Sequence, residues 1–515
     1  MSSILTNNSA MVALQTLNAI NSDLSKTQSM ISTGKEIASA KDNSSVWAIS
    51  KVMESDVAGF NAISDSLALG ESTLAVASEA AETVTDLLTQ IKEKVVSAQE
   101  ENVDREKIQT DIDALVDQVK SVIGAAQFNG LSLVEGTDDV NILSSLDRAS
   151  DGTVTASDIT VSRQDLSTST GTFGTALTDA ESAAYGTVNG STNSNFTTDA
   201  GGTVALLEIT AGDVGDTFSL SVGNETVSYT METGDDADTI RDALASQVNA
   251  LGIEGLSVDA STTGELTLKN TNAFSTMEIS ATADGDATDF EIAEINGEDI
   301  ADSNGPETLN QRAATIDFST TANINEGDSF KVTVGPESYT YVAGKGETME
   351  DVAKGLKTAI DSAGTEGVTT AVQYDDDAGQ WKLAIDDENG DGSSTTLKLT
   401  VGEDGEASGG LFGLDSIDVT TNAGADAALG NVETLINNAV DAAAEFGSAQ
   451  GRIETQSTFI SNLTDALTSG IGSMVDADME EASAKLQALQ VQQQLGVQSL
   501  SIANQAPQTI LSLFG

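Results

Sequence analysis

The two ends of this 515-residue chain carry no charged residue, although the chain as a whole is strongly acidic. Met1–Ser22 and Leu486–Gly515 contain no Asp, Glu, Lys or Arg, whereas the full sequence has a formal net charge of -59. Both ends repeat apolar residues at helical spacing, and the faces opposite carry Gln, Asn, Ser and Thr. A solvated helix normally carries charge on that face. These helices are therefore expected to be surrounded by other protein, either in the core of a monomeric domain or between subunits.

The apolar stripes of the two end helices are the first candidate functional residues. Their members recur at steps of three, four or seven residues, which places them on the side of the helix that packs against a partner. The predicted packing residues are Leu17, Ile20, Leu24, Ile31, Leu486, Leu489, Val491, Leu495 and Ile502.

An elbow follows the first end helix, in the stretch STGKEIASAKDN (residues 32–43). Gly34 permits the helix to end, because glycine adopts a left-handed backbone without strain. Asp42 or Asn43, or Ser44 after them, can cap the next helix by accepting its free N–H groups. The elbow thus separates an uncharged helix from a charged one.

Longer charged helices lie inside the two ends. We predict helices over Ser44–Gln99, Asp104–Ile123 and Asn431–Leu467, and a turn at FNGL (residues 128–131), since Asn-Gly favours a hairpin. The order helix, helix, β-rich centre, helix, helix predicts an α+β multidomain protein. Its N- and C-terminal helices pair as an antiparallel coiled coil or bundle, with β-rich outer domains inserted between them.

The centre contains an internal repeat. Segments beginning at Gly215 and Gly327 each read as strand, turn, strand, acidic turn and helix, and strands follow in both. We predict two related α+β modules in tandem, at about residues 203–290 and 315–402.

Composition excludes several classes of function. With 81 acidic against 22 basic residues, the chain repels nucleic acid and anionic membranes, so neither is an expected partner. It has no Cys and no His, which removes thiol nucleophiles, Cys/His zinc sites and the commonest general base. No basic segment precedes an apolar run at the N-terminus, so no cleaved signal peptide is predicted. We therefore expect no enzyme, no cofactor and no catalytic or metal site.

One stretch, DENGDG (residues 387–392), matches the opening of a calcium loop. An EF-hand would place Glu at the twelfth position, but Lys398 stands there and strands are predicted on both sides. A half-loop over Asp147, Asp151, Gly152 and Asp158 is weaker still. Acidic turns are the favoured interpretation, with calcium binding left open.

The elbow and both ends resemble bacterial flagellin. The resemblance lies in ILTNNSAMVALQTLNAINSDLSKTQSMISTGKEIASAKDNSSVWAIS (4–50), AQFNGLSL (126–133), GRIETQSTFISNLTDAL (451–467) and ALQVQQQLGVQSLSIANQAPQTILSLF (488–514). It covers about 140 N-terminal and 90 C-terminal residues in the same order, and the centre contributes nothing to it. Lys35-Glu36 stands where the family has a Leu-Arg pair, and Trp47 is unusual beside the cap.

The resemblance implies a layered filament subunit. Residues 1–42 and 472–515 would form an inner coiled-coil domain whose stripes line the filament core, and 43–161 with 422–471 a helical bundle domain with β-hairpins. Residues 162–421 would form the variable outer region. It further implies a homopolymer outside the cell, in the flagellar filament, with the flagellar export apparatus, an export chaperone, and filament cap and junction proteins as partners.

Two alternatives remain open at this point: a hook–filament junction protein of the same family, and a surface adhesin that uses the acidic β modules. The family also implies contact between the charged bundle helix and a Toll-like innate immune receptor, through an Arg and a Leu. Gln90 and Lys94 stand at the aligned positions, which predicts a weak contact.

Overall fold

The computed structural model describes residues 7–149, 153–189, 193–199, 203–210, 212–303, 305–365, 367–387 and 391–511. The chain forms two compact units. The first unit comprises Met1–Leu74, Val140–Val161 and Ser448–Gly515, and the second comprises Ala75–Asp139 and Ser162–Gly447. Two long helices pass from one unit to the other. No helix within the described ranges is both long and apolar enough to cross a bilayer.

The helices match the predicted order. Their bounds are α1 Asn8–Thr33, α2 Ser44–Ala98, α3 Arg105–Ala125, α4 Asp179–Ser182, α5 Ala237–Leu251, α6 Met349–Ser362, α7 Asn422–Val475 and α8 Met479–Leu511. The last bundle helix is longer than its sequence signal at both ends, since it begins at Asn422 rather than Asn431 and runs on to Val475. The helical turns near both ends of α7 contain Gly and Ser, which have low helix propensity. Tertiary packing stabilises the helix there in spite of that low propensity.

In the first unit, a long hairpin lies against the helices. Strands β3 (Val140–Arg148) and β4 (Val154–Val161) pair antiparallel, with a register shift between Leu143 and Ser145. Gly70 of α2 provides the space for this hairpin, because a Cβ there would lie 2.6 Å from Ile142 Cδ1. Gln456 of α7 donates from Nε2 to the Ser144 carbonyl at 2.8 Å. The hairpin is therefore positioned by a glycine of α2 and by a side-chain hydrogen bond from α7.

Helical spacing predicts an apolar stripe on α2 from Ile63 to Val95, and in the second unit this stripe is confirmed. Its members within this unit, Ala77, Ala81, Val84, Leu88, Ile91 and Val95, are at most 1% exposed. The spacing of α3 predicts a stripe of Ile108, Ile112, Leu115, Val119 and Val122; Ile112 and Val119 are buried, and Val116 and Ile123 are buried in place of Leu115 and Val122. The FNGL turn is confirmed as well. It joins β1 (Gln127–Phe128) to β2 (Leu131–Ser132), with positive φ at both Asn129 and Gly130.

The remaining strands of the second unit build two β modules. Their bounds are β5 Thr175–Ala176, β6 Gly186–Val188, β7 Asn193–Asp199, β8 Thr203–Ile209, β9 Thr217–Val222, β10 Glu225–Thr230, β11 Leu256–Asp259, β12 Glu265–Asn270, β13 Met277–Ala283, β14 Phe290–Ile295, β15 Glu298–Ser303, β16 Glu307–Leu309, β17 Ala314–Phe318, β18 Ser329–Val334, β19 Glu337–Val342, β20 Val368–Asp375, β21 Gln380–Asp387 and β22 Asp391–Glu403.

The repeat seen in the sequence is a repeat of topology. In module 1, the strand orders are β10-β9-β13-β16 and β11-β12-β8-β14-β15, with α5 against the sheets. In module 2, they are β19-β18-β22-β5, with β7 also on β22, and β20-β21-β17-β6, with α6 against the sheets. The seven elements from β8 to β13 thus recur from β17 to β22 with the same antiparallel pairs.

The tandem arrangement expected from the sequence is wrong. Module 1 (residues 203–309) is inserted into module 2, which consists of residues 175–199 and 314–403. Strand β6 pairs with β17, and β5 and β7 pair with β22, so the strands that complete module 2 precede module 1 in the chain. The ends of the insertion meet, since Thr203 Oγ1 donates to the Asn310 carbonyl at 2.7 Å.

Each module has its own apolar core. That of module 1 centres on Phe218 and Phe290, and that of module 2 on Phe318 and Phe330, all at most 1% exposed. Because each core is closed within its module, either module can be considered a separate folding unit.

Module 2 also buries an ionisable pair. Tyr341 donates its hydroxyl hydrogen bond to Glu347 at 2.8 Å, and burial raises the pKa of the Glu347 carboxyl from 4.5 to about 7. The folded module therefore binds a proton more tightly than the unfolded chain. Its free energy of unfolding is expected to fall as pH rises from about 4.5 to about 7, and to stay low above that range.

Glu347→Gln is expected to stabilise module 2 by about 2–3 kcal/mol at pH 8 and to flatten this pH dependence. Gln keeps an acceptor for Tyr341 but needs no proton. In a Trp47→Phe background, Trp381 fluorescence reports urea unfolding of module 2 at pH 5 and pH 8. The matched control is Glu337→Gln, the same substitution at an exposed residue of module 2. Equal destabilisation at both pH values would contradict the assignment.

Candidate assembly surface: the terminal helix pair and its double elbow

Helix α1 is capped by Asn7 at its N-terminus and by Gly34 at its C-terminus. Asn7 accepts the Ala10 N–H at 3.1 Å, and Gly34 ends the helix with φ 71°. The Gly34 N–H closes onto the Met30 carbonyl at 2.8 Å. A residue with a Cβ would be strained in that left-handed conformation, so the glycine fixes where α1 stops.

The elbow residues have separate roles. Asn43 Oδ1 accepts the N–H groups of Ser45 and Val46, each at 3.2 Å, so Asn43 is the cap of α2. Asp42 instead accepts from the backbone and hydroxyl of Ser39, each at 3.0 Å, and these bonds lower the pKa of its carboxyl. The sequence left open which residue caps the helix, and Asn43 is the one that does.

The elbow is paired with a second elbow that the sequence analysis did not identify, between α7 and α8. The Glu36 N–H donates to the Val475 carbonyl at 2.7 Å, and the Ala477 N–H to the Gly34 carbonyl at 3.0 Å. Asp478 caps α8 by accepting from Glu480 N at 2.9 Å. Backbone hydrogen bonds therefore join the two elbows directly.

Lys35 reinforces this junction from its side chain. Its ammonium lies 3.3 Å from Glu54 Oε1, and Lys51 lies 2.5 Å from the other oxygen of the same carboxylate. The bond from Lys51 is the main reason that the pKa of Glu54 is lowered. These side chains are partly exposed, so the pairs orient the elbow and contribute little stability.

Beyond the elbows, α1 and α8 run antiparallel. Asn7 Nδ2 donates to the Ala503 carbonyl at 2.8 Å, and Gln493 Nε2 donates to Asn21 Oδ1 at 2.7 Å. Gly496 allows close approach, since a Cβ there would lie 3.2 Å from Leu17 Cδ1. The uncharged polar residues of both helices therefore hydrogen bond across the pair.

The predicted packing residues fall into two sets. Leu489 is 7% exposed, and Leu17, Ile20, Leu24, Ile31 and Leu486 are partly buried. Val491, Leu495 and Ile502 are 55–63% exposed, and Leu495 borders the groove between α8 and α1. Thr27 is the one buried residue of α1, all of which the structure describes. The pair thus leaves a second apolar stripe uncovered in a single chain.

A groove lies between the two helices. It has a volume of about 810 Å³ and is lined by Val12, Ala13, Ile20, Leu495 and Gly496, together with small polar residues. Exposed apolar residues that continue along α1 include Met11 at 63% and Leu14 at 48%. The single chain therefore leaves several apolar side chains of both helices exposed to solvent.

The two predicted receptor-facing residues lie on α2 in the second unit. Gln90 is exposed, and Lys94 forms an ion pair with Asp111 of α3 at 2.6 Å.

No group of three or more His, Cys, Asp or Glu side chains within the described ranges is arranged to hold a metal. Asn389, Asp151 and Gly152 of the two calcium-loop candidates lie outside those ranges.

Comparisons with known proteins agree on one family. Residues 4–139 match the bacterial flagellin N-terminal helical region, and residues 429–514 match the bacterial flagellin C-terminal helical region. Flagellin A of Rhizobium meliloti (strain 1021) is 30% identical over 514 residues, with 100% of both chains covered. Flagellin FljK of Caulobacter vibrioides is 41% identical over 193 residues, which cover 37% of this chain and 69% of that one.

Among solved structures, flagellar hook associated protein-3 of Legionella pneumophila matches with 9% identity and a TM-score of 0.31, over 82% of this chain and 98% of that one. A TM-score this low supports no inference. The full-length identity to Flagellin A and the two terminal matches decide the question: this chain belongs to the bacterial flagellin family.

Proposed function

We propose that this chain polymerises through its terminal helix pair and so forms the flagellar filament that serves bacterial motility. The observation that carries the proposal is the uncovered apolar stripe on an antiparallel pair of helices with uncharged polar faces. Stacking copies would bury those stripes. The polar faces would meet other subunits without leaving an unpaired charge in the interface.

Three layers are proposed from this arrangement. The inner boundary, at residues 42 and 472, lies beside the two hydrogen-bonded elbows. The outer boundary, at 161 and 421, lies where β4 ends and α7 begins. In the filament, residues 1–42 and 472–515 would lie innermost and the β modules outermost. We further propose an extracellular location, reached through the flagellar export apparatus with an export chaperone and no cleaved signal peptide.

Seeded polymerisation tests the function directly. Purified chain added to short filament fragments is expected to elongate them, as seen by electron microscopy. A junction protein of the same family would add a few copies and stop, and an adhesin would not add at all. Since the cap and junction proteins are proposed partners, elongation from junction-protein seeds is also expected. A chain that stays monomeric at every concentration and salt condition would overturn the proposal.

We also propose that contact with a Toll-like innate receptor is weak. The Lys94 ammonium is already paired with Asp111, and binding would require the ammonium to be desolvated or displaced from that pair. Gln90 offers no guanidinium fork. Gln90→Arg with Lys94→Leu is expected to raise the potency of purified monomer in receptor-reporter cells by roughly tenfold or more.

The matched control for this prediction is Lys107→Leu. Lys107 lies on α3, away from Gln90, and is paired with Asp104. Strong signalling by the wild-type monomer, or an equal gain from the control, would contradict the assignment of these two positions.

A further inference from the structure

Three side chains with complementary chemistry meet where module 2 touches the bundle helix α7. Lys357 of α6 donates from Nζ to Asn431 Oδ1 at 2.9 Å and to Asp361 Oδ2 at 2.5 Å. A primary amine, a carboxamide and a carboxylic acid in contact are the components of an amide-exchange reaction. From this juxtaposition we infer that Lys357 and Asn431 form an isopeptide bond, with Asp361 as the acid–base group.

The site excludes most solvent. The Asp361 side chain is 3% exposed, Asn431 is 6% exposed, and the Lys357 side chain is 16% exposed. Water that would hydrolyse or solvate the reacting groups is therefore scarce. The Lys357 amine lies within hydrogen-bonding distance of the Asn431 carboxamide, so it is placed to act as the nucleophile.

The surroundings also fix the geometry. Thr370 Oγ1 donates to Asp361 Oδ1 at 2.6 Å, which orients the carboxylate so that its other oxygen meets the lysine. Gly430 precedes the asparagine, and a Cβ there would lie 3.4 Å from Lys357 Nζ and 3.7 Å from its Cε. The glycine keeps the approach to the carboxamide open. Holding reactants in contact removes much of the entropy cost of a reaction between two groups.

The reaction balances without any added reagent. Asp361 takes a proton from the Lys357 ammonium, and the neutral Nζ attacks Cγ of Asn431. The Nζ–Cγ bond forms and the Cγ–Nδ2 bond breaks as Asp361 returns the proton to Nδ2. Ammonia leaves, takes up the second proton lost by Nζ, and departs as ammonium. The product is a secondary amide between α6 and α7.

Such a bond has a clear physical role in this chain. The sequence has no Cys, so no disulfide can staple the fold. The isopeptide would close a loop between residues 357 and 431 and tie module 2 covalently to the bundle. It depends on the fold of the second unit alone and is independent of polymerisation.

Mass spectrometry of the full-length folded chain tests the inference. The linked chain is expected to be lighter than the sequence mass by one ammonia, about 17 Da. Trypsin is expected to release residues 355–382, uncleaved at Lys357, joined to residues 399–452. Lys357→Arg keeps a positive charge but cannot form the amide, so it should recover the full mass and yield separate peptides.

Two further variants complete the test. Asp361→Asn should remain folded by circular dichroism but show little or no linkage, since it lacks the acid–base group. Lys354→Arg, whose lysine is paired with Glu350 on the same helix, should link as the wild type does. If folded wild-type chain incubated at pH 8 keeps its full mass and yields only linear peptides, the inference is wrong. This readout requires no variant to fold.

Discussion

Leu495→Asp is expected to abolish filament formation while leaving the monomer as stable as the wild type. Leu495 is 59% exposed in the single chain, so a carboxylate there is solvated and costs little. In the filament the same position would be buried against a neighbouring subunit. An unpaired carboxylate in such an interface costs several kcal/mol, which raises the critical concentration by on the order of a thousandfold or more.

Two further variants test this result, one as a control and one as a second disruption of the helix pair. Val214→Asp places the same charge at a residue of similar exposure, 62%, before the second strand of module 1, and should assemble normally. Ile20→Asp should also abolish filaments, because Ile20 is partly buried beside Gly496 within the helix pair that the filament orders. Sedimentation and electron microscopy measure assembly, and circular dichroism measures folding. Normal filaments from Leu495→Asp would exclude its stripe from the interface.

Because the exposed apolar residues of α1 and α8 would be buried only against a neighbouring subunit, we expect the helix pair to act as a polymerisation switch. In the single chain α1 buries just Thr27 along its described length, so its packing does little to offset the entropy of ordering the helix. We therefore expect α1 and α8 to be largely disordered in the free monomer and ordered in the filament. Helix content should rise on polymerisation, and protease should trim both ends of the monomer first.

Removal of both β modules is expected to leave assembly intact and to make the filaments much thinner. Thr172 and Glu406 exchange backbone hydrogen bonds, each at 2.9 Å, so the chain enters and leaves the modules at one point. Replacing residues 173–405 with Asn-Gly should close that gap with a hairpin turn. The shortened chain keeps both elbows and both stripes and should form thinner filaments.

A longer deletion, of residues 162–421, should behave differently. Gln109 of α3 donates to the Ile417 carbonyl at 2.8 Å, and the Gln164 N–H donates to the Leu133 carbonyl at 2.9 Å. Cutting these segments leaves polar groups of the bundle without partners, which costs about 1–3 kcal/mol for each one that stays buried. We expect lower bundle stability than in the 173–405 variant. A 173–405 variant that is helical and soluble but never polymerises would refute the layered arrangement.

The sequence by itself determined the helical frame of this protein. Helical periodicity and the absence of charge located α1 and α8, and the uninterrupted stripe of α2 located its buried face, because these signals repeat over many turns. Gly34 was predictable, and the cap was narrowed to Asp42, Asn43 or Ser44, because a left-handed stop and a side-chain cap depend on few neighbours. The repeat of strands and helix in the two modules was visible for the same reason.

Tertiary structure decided what joins these parts. Strands β5 to β7 precede module 1 in the chain and yet complete module 2, a pairing that no local pattern encodes. The backbone bonds between Glu36 and Val475, and the contact of Lys357 with Asn431, join residues distant in sequence. Which apolar residues of α8 are buried and which stay exposed in the single chain was likewise settled by packing. Periodicity fixes a spacing along a helix, whereas the partner that covers each face is set by the three-dimensional path of the chain.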